Sequence, residues 1–141
     1  MTTTRLAGRQ LPDGVGSFLI QASSDDTTSL TVATIRTIHA PYSLRLVSFR
    51  ASVVVAPVGA DLVIDIKVNN TSIFTSFSKL VIDDGTYTST GSSLPYAFSA
   101  AFIAAGYKIA DDDKVQIEVT QIGSSVAGAG LQIAFKGWLT S

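Results

Sequence analysis

The chain has 141 residues, which fits one domain able to remove about two-thirds of its unfolded surface from water. It has no cysteine, which excludes disulfides and thiolate metal sites, and its 10 basic and 11 acidic residues give a formal net charge of -1, without the basic excess that grips nucleic acid. Charged residues are 15% of the chain, below the roughly 25% of an average soluble domain, so Ser, Thr and Gly must cover much of the surface; that suits packing against other subunits and equally suits a hydroxyl-rich β surface.

Residues 1–16 read as a flexible, extended N-terminal arm. Thr2, Thr3 and Thr4 are followed by Arg5, Gly8, Arg9, Pro12, Asp13, Gly14 and Gly16, with no period of 3.6 or 2. Fully extended, such an arm reaches roughly 50 Å, and it is either a tail or a segment that orders on a neighbouring subunit. Met1 to Gln10 holds Arg5 and Arg9 but no apolar core segment, so it is not a secretory signal, and synthesis in the cytoplasm is expected. No stretch of about 18 apolar residues is present, so no membrane insertion is expected.

A β-sandwich domain is expected over residues 17–141. Phe18 to Ile20 is its first apolar segment, and Ser23, Ser24, Asp25 and Asp26 form a polar turn. Leu30 to Ile38 is a Thr-, Val- and Ile-rich run closed by Pro41. Ser43 to Val55 is a long strand with Val47, Phe49, Ala51, Val53 and Val55 on one face. After the turn Pro57-Val58-Gly59-Ala60, the residues Leu62, Ile64, Ile66 and Val68 alternate with Val63, Asp65, Lys67 and Asn69, the period of a half-buried strand. Asn69-Asn70 turns the chain, Ser72-Ile73-Phe74 and Leu80-Val81-Ile82 are short strands, and Asp83-Asp84-Gly85 is a further turn.

Residues 86–95 read as a Thr/Ser/Gly-rich surface loop. In Pro95 to Ala105 the five alanines could support a helical turn, but a strand or irregular segment ended by Gly106 is expected. Past the turn Asp111 to Asp113, Val115, Ile117 and Val119 alternate with Lys114, Gln116, Glu118 and Thr120. Gly123 to Gly130 is a hairpin-like connection, and Leu131, Ile133 and Phe135 define the last strand, which ends near Leu139. About eight short strands with regular turn signals argue an all-β protein, an antiparallel β-sandwich with a jelly-roll-like layout, although periodicity does not fix the topology.

No catalytic, cofactor or metal site is expected. His39 is the one histidine and reads as a strand-end residue before Ala40-Pro41; no G-x-S-x-G elbow is present. Asp65, Glu118 and Asp111 to Asp113 are the candidate carboxylates for a glycoside-hydrolysis pair, but Asp65 and Glu118 fall on polar strand faces and read as solvated charges. The Asp-Asp-Asp run lacks the calcium-loop pattern and reads as a charged turn. Gly14 and Gly16, and Gly128 and Gly130, complete no phosphate loop, and the N-x-[ST] patterns in Asn69-Asn70-Thr71-Ser72 carry little weight without a secretory signal. Trp138 lies on the face opposite Leu131, Ile133 and Phe135, where it either anchors an interface or caps the sandwich. Tyr87, Tyr96 and Tyr107 sit in or beside loops, as binding tyrosines or as loop packing. Arg5, Arg9, Tyr87, Tyr96, Tyr107 and Trp138 are therefore the interface candidates.

Residues 44–139 resemble a domain family of bacteriophage tail-fibre, appendage and head-surface proteins. The resemblance rests on ordered pieces: Arg50-Ala51-Ser52-Val53, then Ala56-Pro57-Val58-Gly59-Ala60-Asp61-Leu62-Val63-Ile64-Asp65-Ile66, Asn69-Asn70-Thr71-Ser72-Ile73-Phe74 and Leu80-Val81-Ile82-Asp83. Ile103-Ala104-Ala105-Gly106, Val119-Thr120-Gln121-Ile122-Gly123-Ser124 and Gly128-Ala129-Gly130-Leu131 follow. The family often places Gly-Asp before the late valines; here Tyr107 follows Gly106 and Asp113 precedes Lys114-Val115, consistent with an inserted loop.

The resemblance implies a β-sandwich that trimerises and works as a virion building block, with no catalytic residue. The short chain suits a capsid decoration (cement) subunit on the major capsid protein, its arm tying neighbours together. The alternative it implies is a tail-fibre or appendage domain whose loops at 86–95 and 123–130, with Trp138 and the loop tyrosines, contact a host surface glycan.

Overall fold

A computed structural model describes residues 15–140. Among the described residues are nine strands and one helical turn: β1 (Val15–Gln21), β2 (Ala33–His39), β3 (Leu44–Ser52), β4 (Leu62–Val68), β5 (Thr71–Ser72), β6 (Leu80–Ile82), α1 (Ala100–Ala104), β7 (Lys108–Ile109), β8 (Lys114–Gln121) and β9 (Gln132–Leu139). They form two antiparallel sheets. One has the order β1-β9-β3-β7; the other runs β2-β8-β4-β5, with β6 also paired to β4. The expected arm lies outside the described residues as far as residue 14, Arg5 and Arg9 included, whereas Val15 and Gly16 already pair with Trp138 and Gly137 in β1.

The alternation read from the sequence becomes the core. Leu62, Ile64 and Ile66 of β4 and Val115, Ile117 and Val119 of β8 point inward from one sheet. Ile133 and Phe135 of β9 and Leu44, Leu46, Phe49 and Ala51 of β3 meet them from the other, in one continuous buried cluster. Burial of this apolar surface is what holds the two sheets face to face. The edge strand β2 joins weakly: only Ile35 and Ile38 of its seven residues pack against the core.

Two expectations are corrected. In β3 the register slips between Leu46 and Ser48 opposite β9, so Val47 is the extra residue of a β-bulge. The bulge moves Val47 to the outer face, where it is 50% exposed, and puts Leu44 and Leu46 on the same side as Phe49. The stretch expected as strand or irregular structure contains α1. Ser99 caps it, its hydroxyl accepting the Phe102 N–H at 3.2 Å, and Phe102 is the one buried residue that ties the turn to the core. Gly106, at φ +76, ends it as expected.

Strand pairing sorts the connections to opposite ends of the sandwich. The shorter ones, 40–43, 69–70 and 110–113, meet at one end, where Ala40 N–H donates to the Asp113 carbonyl (2.8 Å) and Asn69 N–H to the Lys114 carbonyl (2.8 Å). The longer ones meet at the other end. There Leu30 N–H donates to the Gly128 carbonyl (2.9 Å), Val54 N–H to Ala129 (2.9 Å), Val58 N–H to Val126 (2.9 Å) and Val53 N–H to Tyr87 (2.9 Å). These two ends and the two outer sheet faces are the surfaces on which a site can be built.

Candidate functional site

The carboxylates singled out from the sequence have structural partners. Asp65 was expected as a solvated charge; instead it is 1% exposed. Leu80 pairs with Ile64, so Lys79, the next residue along, falls beside Asp65, and its Nζ lies 2.9 Å from Asp65 Oδ2. The Ser72 hydroxyl donates to the other oxygen at 2.5 Å. Paired and hydrogen-bonded, the carboxylate satisfies the conditions for a buried charge. Glu118, opposite Asp65 across β4 and β8, is a half-buried ion-pair partner of Lys67 (3.3 Å) and accepts from the Thr34 hydroxyl (3.3 Å).

The Asp111 to Asp113 run is a charged turn. Asp113 Oδ2 accepts from the Ala110 N–H (2.8 Å) and Oδ1 from Asn69 Nδ2 (3.0 Å), while Asp111 and Asp112 are exposed. His39 ends β2 and is exposed, its Nδ1 2.9 Å from the Asp112 carbonyl oxygen. Among the described residues, no group of three or more His, Cys, Asp or Glu side chains converges as a metal site would require. Asp25 is held well below the ordinary carboxylate range, at about 2, chiefly by the Thr28 N–H and then by the Thr28 hydroxyl and the Thr27 N–H; this is a closed turn in the connection between β1 and β2.

The aromatic residues separate into two groups. Nine rings form one chain of contacts through the sandwich, from Phe18 stacked on Phe135 (4.6 Å), through Phe49 and Tyr96 (4.3 Å), to Phe98 against Phe102 and Tyr107. Tyr96 and Tyr107 are thus half-buried packing residues, and burial pushes the Tyr96 hydroxyl pKa up, partly offset by a hydrogen bond from the Phe49 backbone. The three aromatic side chains outside this chain of contacts are the exposed ones: Phe77, Tyr87 and Trp138. Of the candidates within the described residues, Tyr87 and Trp138 therefore stay available to a partner.

They do not share a site. Trp138 sits opposite Arg45 and Val15 near the short-connection end of β9, and Tyr87 bonds to Val53, beyond the Ser52 end of β3. Six residues of strand separate Trp138 from Gln132, the β9 partner of Ser52, which is roughly 20 Å. A sugar-stacking site made of both rings is not formed in one copy of the chain.

Three surfaces were not visible as sites in the sequence. At the long-loop end, Val54, Val55, Val58 and Val126 are all partly exposed and are brought together by the bridges of Val55 to Ala129 and Val58 to Val126. Phe77, 96% exposed in the β5–β6 connection, stands beside Leu94 over a hollow of about 220 Å³. On the outer face of the first sheet, Ser89 of the 86–95 loop docks onto β3 by accepting the Ala51 N–H (3.0 Å). Beside it lies a hollow of about 500 Å³ lined by Ser48, Arg50, Ser89, Thr90, Tyr96 and Lys136. The signal for Phe77 was a large ring between two serines in a short connection; the other two surfaces exist only once distant segments are paired.

Comparison of the chain with protein-family models, with curated proteins and with solved structures finds no match.

Proposed function

We propose that this chain is a structural, non-enzymatic subunit of a bacteriophage virion surface, in its simplest form a homotrimeric capsid decoration (cement) protein that binds the major capsid protein and stabilises the head lattice. The observation that carries the reading is the strand order. An antiparallel sandwich in which β1-β9-β3-β7 faces β2-β8-β4-β5 supports a jelly-roll reading, an architecture used in viral capsid and lectin domains. The resemblance over residues 44–139 points the same way. So do the low charge density and the exposed valines and aromatic rings, which suit contact with other subunits more than contact with water. The reading as a non-enzyme is supported by Asp65 and Glu118, whose carboxylates are engaged in ion pairs.

The test is co-sedimentation of purified protein with undecorated capsids. Saturable binding that raises the temperature of capsid disruption is the expected result; its absence refutes the decoration reading. Removal of residues 1–14, which leaves β1 whole, should weaken capsid binding if the arm ties neighbours together.

A second reading, an appendage domain that recognises a host surface glycan, is favoured by the 500 Å³ hollow, whose hydroxyls, Arg50 and Tyr96 edge resemble the lining of a ligand site. Binding of the purified protein to host cells but not to capsids would select it.

A further inference from the structure

The charges are sorted by surface once the strands are paired. The four strands of the first sheet, β1, β9, β3 and β7, contain four cations and no carboxylate among the described residues: Arg45, Arg50, Lys108 and Lys136. All four residues are exposed, and the exposed apolar side chains Leu19, Val47 and Trp138 come from the same strands. Cross-strand register interleaves them: Leu19 and Arg50 flank Ala134, and Arg45 is the partner of Trp138.

The long-loop end is the complement. Its segments, residues 22–32, 53–61, 83–87 and 122–131, carry five aspartates, Asp25, Asp26, Asp61, Asp83 and Asp84, and no lysine or arginine. The same end holds the exposed Val54, Val55, Val58 and Val126. Asp25 and Asp83 are both held below the ordinary carboxylate range, Asp25 chiefly by the Thr28 N–H and Asp83 chiefly by the Ser93 N–H.

We infer that the outer face of the β1-β9-β3-β7 sheet docks onto the long-loop end of a second copy of this chain, cation against aspartate and apolar against apolar. The two surfaces match in both sign and apolar content, which is the complementarity that fixes register between partners. They belong to one chain whose formal net charge is only -1, so copies do not repel one another as wholes while each presents both halves of the contact. A contact between different patches is heterologous and closes into a ring when its rotation divides the circle, a trimer at 120°. The inference rests on the self-association within the assembly reading and adds which surfaces make it.

The experiment is light scattering of the full chain at low and high NaCl, with two charge reversals. One is Arg50→Glu with Lys136→Glu. The other is Asp26→Lys with Thr31→Lys, which leaves the Asp25 turn untouched. All four side chains face solvent, and circular dichroism checks that each variant keeps its strands. Wild type should be oligomeric in low salt and shift towards its 14.8 kDa monomer in 1 M NaCl. Each reversal alone should weaken association at least tenfold, and mixing the two should restore a complex larger than a monomer, because the reversed face of one variant then meets the reversed end of the other. A wild-type monomer at every salt concentration overturns self-association itself, and its retention of heparin through Arg50 and Lys136 would assign the face to an acidic polymer instead. An oligomer indifferent to both reversals, or to Asp26→Lys with Thr31→Lys alone, overturns the pairing of surfaces while leaving assembly standing.

Discussion

Removing Lys79 should cost more stability than removing the charge of its partner. Asp65 is 1% exposed, and its side chain has two partners, the Lys79 ammonium and the Ser72 hydroxyl. Lys79→Met leaves an ionised carboxylate in the sheet with a single neutral donor. Breaking a buried pair from one side costs about 3–5 kcal/mol. Because the Lys79 side chain is 22% exposed and water reaches the pair, the lower end, about 3 kcal/mol, is expected. Asp65→Asn removes the carboxylate's charge but leaves an amide oxygen to accept from Ser72, and the long lysine stem can carry its ammonium out to water; about 2 kcal/mol is expected for the lost charged hydrogen bond. The gap of about 1 kcal/mol is a factor of about 5 in the folding equilibrium. Urea unfolding, read as a midpoint shift at constant slope and at one protein concentration, measures it. A Lys79→Met variant no less stable than Asp65→Asn would refute the assignment of Asp65 as a buried charge held by Lys79. In 1 M NaCl the wild-type pair should persist, since salt screens buried pairs far less than exposed ones.

Other outcomes follow from the same geometry. Asp25 should titrate near pH 2 by carboxyl NMR, and Thr28→Val, which removes one of its hydrogen bonds, should move the midpoint upward. Because its folded pKa lies below its unfolded one, the stability it contributes is present above about pH 4 and is lost as the pH falls through about 2. Phe135→Ala, at a fully buried ring stacked on Phe18, should cost about 3–5 kcal/mol in urea unfolding, whereas Phe77→Ser should leave the midpoint unchanged. Gly137→Ala would place a Cβ 2.1 Å from the Arg45 carbonyl oxygen, so β9 and β3 must part there; a loss of at least about 1–3 kcal/mol is expected, seen as a lowered thermal midpoint.

The strands most legible in the sequence were those with one face in the core. β4, β8 and β9 were readable because Ile64, Ile117 and Ile133 each stand in an unbroken period of 2. β3 has that period too, but Val47 interrupts it, and a bulge is set by the partner strand rather than by the residue itself: Val47 is apolar and fits either face. The helical turn was missed because Ala is neutral about burial; the turn is fixed by the Ser99 cap and by Phe102 reaching the aromatic chain. Asp65 was misread for a similar reason. Its polar position in the alternation is real, yet what covers it is Lys79, delivered by a register between β4 and β6 that no local pattern encodes.

The same distinction explains why the surfaces suited to assembly were hidden. A count over the chain gives near neutrality, and along the sequence the cations of β3, β7 and β9 are interleaved with the aspartates of the connections between them. Summed over the whole chain they cancel. Folding undoes the cancellation, because the strand order gathers β1, β9, β3 and β7 into one sheet and sends four distant connections to one end. A net charge of -1 therefore conceals a cationic sheet face and an acidic loop end. Opposed patches on one molecule suit contact between unlike surfaces, which is the cationic-face to acidic-end pairing inferred above, and the charge reversals test it.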